Sequence, residues 1–154
     1  MKQLLKSTIA TLVTLTVIMG AAYAQRGTPA EAKQMVESAV AHIKDVGPAK
    51  AFADFNAPTG KWHNKDIYLF CYKFDGACVC NGAAPGLIGK NLIDMKYPDG
   101  ERHIKKMAEI ASTKGSGWDE YPWPHPETKK LETKQAFVAK IPGYDGFVAA
   151  GIYK

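Results

Sequence analysis

The chain has 154 residues, 46% of them apolar and 23% charged, a composition that suits one globular core and excludes disordered and fibrous classes. The formal charge is +5; Lys2 and Lys6 are the only charges in residues 1–24, so the rest carries +5 − 2 = +3. Lysines are interspersed with acids, and Arg26 and Arg102 are the only arginines, which argues against the basic face that nucleic-acid binding requires.

Residues 1–24 read as a leader. Lys2 and Lys6 supply the positive start, Ile9 to Met19 the apolar stretch, and Ala22-Tyr23-Ala24 the small-x-small pattern that predicts cleavage after Ala24. An uncleaved anchor is the weaker reading, because the stretch from Ser7 to Ala22, with several Thr, falls short of the roughly 20 residues that span a bilayer. Later segments are not long and apolar enough to cross a membrane. The expectation is therefore a soluble domain over residues 25–154 in a periplasmic or secreted location.

Thr28-Pro29-Ala30-Glu31 opens a helix with a capping box, and Met35, Val36, Ala39, Val40 and Ile43 form its inner stripe. Gly47-Pro48 ends it. A short helix from Pro48 to about Asp54 turns Phe52 and Phe55 inward, and a polar loop holding Trp62 follows. From Ile67 to Asn81 the apolar period becomes two on either side of Phe74-Asp75-Gly76-Ala77, predicting a hairpin. Gly82 to Gly89 is a loop. After Asp99-Gly100 a helix carries Ile104, Met107, Ala108 and Ala111 on its buried face and stops at Gly115. Three strands complete the chain, Ser116 to Tyr121, Lys134 to Ile141 and Phe147 to Tyr153, with Pro122 to Lys130 and Pro142 to Gly146 as turns. The fold class expected is α+β: a five-stranded antiparallel sheet with a long N-terminal helix and a helical crossover, its helices mostly on one face.

Catalytic and metal templates are missing: there is no phosphate loop, no Gly-x-Ser-x-Gly elbow and no His-Glu-x-x-His. No enzyme activity and no cofactor is expected. His42, His63, His103 and His125 lack ligand spacing and read as surface residues, and Cys-x-x-Cys-His for covalent haem is absent. Cys71, Cys78 and Cys80 depend on the hairpin register. A two-residue loop at Asp75-Gly76 sets Cys71 opposite Cys80 and permits a bridge. A three-residue loop, Phe74-Asp75-Gly76, places Cys78 and Cys80 on the face of Phe70 and Tyr72 with Cys71 pointing away. The second register is favoured, because the tripeptide fits a type I turn closed by a left-handed glycine.

The most unusual stretch is Gly115-Ser116-Gly117-Trp118-Asp119-Glu120-Tyr121-Pro122-Trp123-Pro124-His125-Pro126, where aromatic rings alternate with prolines. Strand alternation sets Trp118 and Glu120 on one side and Asp119 and Tyr121 on the other. These rings either plug the core or wall a pocket.

Widely spread segments resemble a known family: Ala41-His42-Ile43-Lys44-Asp45-Val46-Gly47, Ala51-Phe52-Ala53-Asp54-Phe55-Asn56, Tyr68-Leu69-Phe70 with Phe74-Asp75-Gly76, and Gly89-Lys90-Asn91-Leu92. Further on come Asp99-Gly100, Lys114-Gly115-Ser116-Gly117-Trp118, Tyr121-Pro122-Trp123-Pro124 and Gly151-Ile152-Tyr153. In this order they resemble the single Cache domains (type 2) of bacterial extracytoplasmic sensors, which also occur as short stand-alone exported proteins. The resemblance implies a PAS-like domain that binds a small organic acid or related metabolite between sheet and overlying loops, for signal transduction such as chemotaxis, with a membrane sensor protein as partner. It points to Tyr68, Phe70, Trp118, Tyr121, Trp123 and Lys134 as ligand-binding positions, with Lys134 or Arg102 as the cation for a carboxylate and Tyr121 as a phenol donor. Two positions depart from the family pattern: Cys80-Asn81-Gly82 replaces an Ala-His-Gly, and Phe137 stands where Tyr is common, both read as losses of polar groups from the site. The alternative is a protein-interaction or structural module with no small ligand.

Overall fold

The computed structural model describes residues 26–154; the leader and its cleavage site lie outside the described residues. Helix α1 (Pro29–Val46) begins at the expected capping box: the Thr28 side chain accepts from Glu31 N, and the Glu31 carboxylate accepts from Thr28 N at 2.8 Å. Gly47 caps its end at φ 83, a left-handed value that glycine adopts without a Cβ penalty. Helix α2 (Pro48–Phe55) follows directly, then β1 (His63–Asn64), β2 (Ile67–Lys73) and β3 (Cys78–Asn81). After a long connection come α3 (His103–Lys114), β4 (Ser116–Pro124), β5 (Leu131–Lys140) and β6 (Gly146–Tyr153).

All strand pairs are antiparallel, in the order β1-β2-β6-β5-β4 with β3 alongside β2. The five expected strands are present, and the two-residue β1 is an addition from the polar loop. Helices α1 and α2 pack on one face through Val36, Ala39, Ile43, Ala51 and Phe55 against Leu69, Val148 and Ala150. Helix α3 lies on the other face, where Ile104, Met107 and Ala111 meet Val138, Phe147 and Ala149. Covering both faces explains why β6 is buried at every position and β2 at all but Lys73.

Strand β4 runs on through Pro122 and Pro124, which the sequence reading assigned to a turn. It is an edge strand, and Pro122 and Pro124 share the parity whose backbone groups face away from β5, so the missing N–H groups remove no ladder bond. Strand β5 correspondingly starts at Leu131, three residues before the expected Lys134.

The hairpin combines both registers considered. Its turn is the three-residue one: Gly76 has φ 93, Gly76 N donates to Lys73 O, and Tyr72 pairs with Cys78. The register then shifts by one residue at Val79, so that Cys71 pairs with Cys80 at a Cα separation of 4.8 Å and the two form a disulfide. The bulge corrects the expectation that this turn leaves Cys71 without a partner. It also sorts the neighbours: Cys80 faces α1 and α2, while the free Cys78 faces α3.

Candidate functional site

The α3 face of the sheet holds a small hollow. Strand β2 contributes Tyr68, Phe70 and Tyr72, alternate residues that point to the same side. Tyr121 and Trp123 come from β4 and Lys134 from β5; Asn81, Tyr97 and Ile104 close the remaining sides. Space for water-sized spheres inside amounts to ≈ 10 Å³, about one water molecule.

Register sets the central row: Tyr121 pairs with Lys134, and Lys134 with Tyr153. Tyr153 donates to Pro124 O at 3.1 Å, which uses its proton, so the 3.2 Å contact between the two hydroxyls is a donation from Tyr68 to Tyr153. Lys134 is 1% exposed. Its Nζ lies 3.7 Å from the Tyr68 ring centroid and 5.1 Å from those of Phe70 and Tyr153, an aromatic cage for the ammonium. Burial pushes the Lys134 pKa below its ordinary value, partly opposed by Tyr68. Burial also pushes Tyr72, Tyr97, Tyr121 and Tyr153 upward, so these phenols stay neutral donors. Asn81 Oδ1 accepts from Ala83 N and Ala84 N at 3.1 and 2.8 Å, which leaves its NH₂ as the group it can offer. One cation, several phenols and an amide around a small hollow form a donor-rich site suited to an anion.

Behind Tyr97 and Tyr121 lies a charged chain. His103 is 2% exposed. Its Nδ1 is 2.7 Å from Asp119 Oδ2 and its Nε2 is 2.8 Å from Asp99 Oδ2. Each ring nitrogen thus faces its own carboxylate, one from the loop before α3 and one from β4. Lys106 Nζ is 2.7 Å from Asp119 Oδ1, and this contact raises the Lys106 pKa. The His103 bond is the leading cause that holds Asp99 below the usual carboxylate range. Tyr97 packs edge-on against His103 at 4.9 Å and against Tyr121 at 5.4 Å.

Five of the seven expected site residues, Tyr68, Phe70, Tyr121, Trp123 and Lys134, converge on this hollow. Trp118 does not: it lies on the opposite face of β4, 37% exposed, with its ring 5.1 Å from Phe137. Strand alternation already required this, since Trp118 and Tyr121 differ in parity. Arg102 does not either; it is exposed at the start of α3, 3.6 Å from Asp94. Four lining residues went unassigned by sequence: Tyr72 and Ile104, read only as strand and helix residues, and Asn81 and Tyr97. The parity of Tyr72 with Tyr68 and Phe70 was the available signal for the first. The departure at Asn81 retains a polar group at the site, and Phe137 belongs to the other core, so neither has the effect expected of it. The histidines are also corrected: His103 and His125 are buried, and His42 and His63 are half-buried.

A larger hollow of about 810 Å³ runs between α1 and residues 61–64, lined by Gln34, Ser38, Asp45 and Trp62 among others. It is an open groove, and Lys134 and the phenols converge elsewhere.

No helix among the described residues is long and apolar enough to cross a membrane. A methyl-accepting chemotaxis protein of Vibrio parahaemolyticus has a similar structure, with a TM-score of 0.69 at 23% identity over 80% of this chain and 86% of that one. The periplasmic sensor domain of a chemotaxis protein aligns at a TM-score of 0.70 and 21% identity, over 88% of this chain and 99% of that one. A Cache chemosensory domain described for carboxylic acid recognition aligns at 0.70 and 17%, over 89% and 99%. In sequence, the sensor histidine kinase MctS of Rhizobium johnstonii is 30% identical over 91 residues, 59% of this chain. The match spans 20% of that kinase's length. The profile of the Cache domain matches residues 1–154, and the chain accordingly belongs to the Cache family of sensor domains.

Proposed function

We propose that this Cache domain is an exported ligand-binding module that captures a short carboxylate in the hollow around Lys134 and signals through a membrane sensor partner. One observation carries the reading: the buried Lys134 side chain, in no ion pair among the described residues and felt by the Asp66 carboxylate only at a distance, caged by Tyr68, Phe70 and Tyr153 beside neutral phenols. A buried cation is costly, and an anion that pairs with it there recovers that cost on binding. The leader over residues 1–24 and the likeness to a periplasmic sensor domain support export. Carboxylic acid recognition by a structural neighbour supports the ligand class. Isothermal calorimetry with acetate, propionate, lactate, pyruvate and amino acids tests it: one acid is expected to give saturable heat that Lys134→Met abolishes, and silence from all of them overturns it.

The second reading is a protein-interaction module whose hollow is closed. The ≈ 10 Å³ of interior space favours it. Absence of ligand heat together with capture of a defined membrane sensor ectodomain is the outcome it expects.

A further inference from the structure

The hollow admits about one water, so any organic ligand must displace a wall. Most walls are fixed. Strand β2 is bonded to β3 and β6, and β5 to β4 and β6. Helix α3 is anchored by Ile104, Met107 and Ala111. The exception is Tyr97, within residues 82–102, whose only helix is the three-residue turn Pro85–Leu87.

The first half of that connection is tied to the hairpin: Cys78 N donates to Lys90 O, Gly89 N to Cys78 O, and Leu92 N to Gly76 O. Further along, the backbone bonds are local: Tyr97 N donates to Glu101 O, Gly100 N to Tyr97 O, and Met95 N to Leu92 O. Beyond the packing of the Tyr97 ring and of the partly buried Met95, residues 94–101 are held by the Asp99–His103 bond and a 3.6 Å contact between Asp94 and Arg102. Asp99 is 37% exposed at its side chain, whereas Asp119, on the other side of the imidazole, is fully buried. Opening at Asp99 leaves the buried Asp119 carboxylate still paired with both His103 and Lys106, so it is not stranded without a partner.

We propose that residues 94–101 form the gate of the hollow, with Tyr97 as its moving wall and the Asp99–His103–Asp119 chain as its latch. His103 is a positioning residue in this arrangement. The gate deepens the ligand-binding reading of the same hollow and rests on it only for what passes through.

The single free thiol, Cys78, lies in the same core cluster as Tyr97 and reports opening without any ligand. Labelling of the native protein by methyl methanethiosulfonate, at denaturant and temperature far below the unfolding transition of either form, is expected to run about tenfold faster in Asp99→Ala, the scale of one lost charge-assisted bond at a partly exposed site. Asp99→Asn, which keeps an acceptor for Glu101 N, gives a smaller rise; Asp94→Ala gives none. Equal labelling rates in Asp99→Ala and wild type, or a rise that follows global unfolding, overturn the gate. With acetate as probe in stopped flow, association and dissociation rates in Asp99→Ala rise together while Kd stays within about twofold, since the latch is present on both sides of the binding step. A purely structural lesion weakens Kd with association unchanged and likewise overturns the gate. Faster labelling with no binding signal from acetate or from any of the other acids, even in wild type, retains the gate and removes the carboxylate reading.

Discussion

The Lys134 ammonium sits 3.7 Å from the centroid of the Tyr68 ring, the shortest of three such contacts in a site where Lys134 is 1% exposed. A cation over a ring gains up to about 2 kcal/mol when desolvated. Removing an ammonium from water costs several kcal/mol. The balance is unfavourable, so Lys134→Met is expected to stabilise the protein by about 1 kcal/mol while abolishing carboxylate binding. Urea unfolding paired with calorimetry checks both halves; a variant that loses stability contradicts the ledger.

The same lysine sets an alkaline trend. Its folded-state pKa lies below the ordinary 10.5, so between the two values the unfolded chain binds more protons and stability rises with pH. The difference between wild type and Lys134→Met therefore narrows as pH climbs toward 10. Above that, the buried tyrosines reverse the slope, because their raised values keep protons on the folded state that the unfolded chain loses. At the acid end Asp99, Asp54 and Glu31 titrate below their ordinary values, for which the bonds from His103, Lys50 and Lys65 are the leading causes. Their contribution is present above about pH 4 and is lost as pH falls through the folded-state values. Denaturation midpoints from about pH 2 to about pH 12 give the profile.

Trp118 and Trp123 make a paired test of which face matters. Trp118→Ala is expected to leave ligand affinity within about twofold, because its ring packs on Phe137 across the sheet from the hollow. Trp123→Ala removes a lining ring and is expected to weaken binding by about tenfold or more. Equal losses in the two variants contradict the assignment of faces.

The Cys71–Cys80 bridge closes a loop with a sequence separation of 9. Loop-closure entropy assigns such a link about 2.5 kcal/mol, so the double replacement Cys71→Ala/Cys80→Ala is expected to lower unfolding free energy by about that amount. Guanidinium unfolding of the two forms measures it. Thiol counting in denaturant should give one free thiol in the wild type and one in the double variant.

Much of the architecture was legible because local chemistry and tertiary context agree. Thr28 and Glu31 mark the start of α1 whatever packs against it, and the stripe from Met35 to Ile43 can bury only one side. The Phe74-Asp75-Gly76 turn was readable for the same reason. The Val79 bulge was not, since nothing in Cys78-Val79-Cys80 departs from strand chemistry; it arises from pairing with β2. In the site, Tyr68, Phe70, Tyr121 and Lys134 follow from strand parity once the sheet is known. Tyr97 lies at the mercy of the long connection's path, which no periodicity encodes, and Asn81 reaches the site by pairing with Phe70 beyond the Val79 bulge. His103 looked like a surface histidine because its two carboxylate partners come from a loop and from another strand.

The single extra residue at Val79 also governs sulfur chemistry during oxidative maturation. Three cysteines permit three one-bridge pairings, yet the finished sheet stands between the remaining thiol and the bridge, with Cys78 on one side and the Cys71–Cys80 sulfurs on the other. Exchange requires a thiolate in line with a disulfide sulfur, and burial holds the Cys78 thiol protonated. Once folded, the chain is locked into one isomer and needs no isomerase to keep it there.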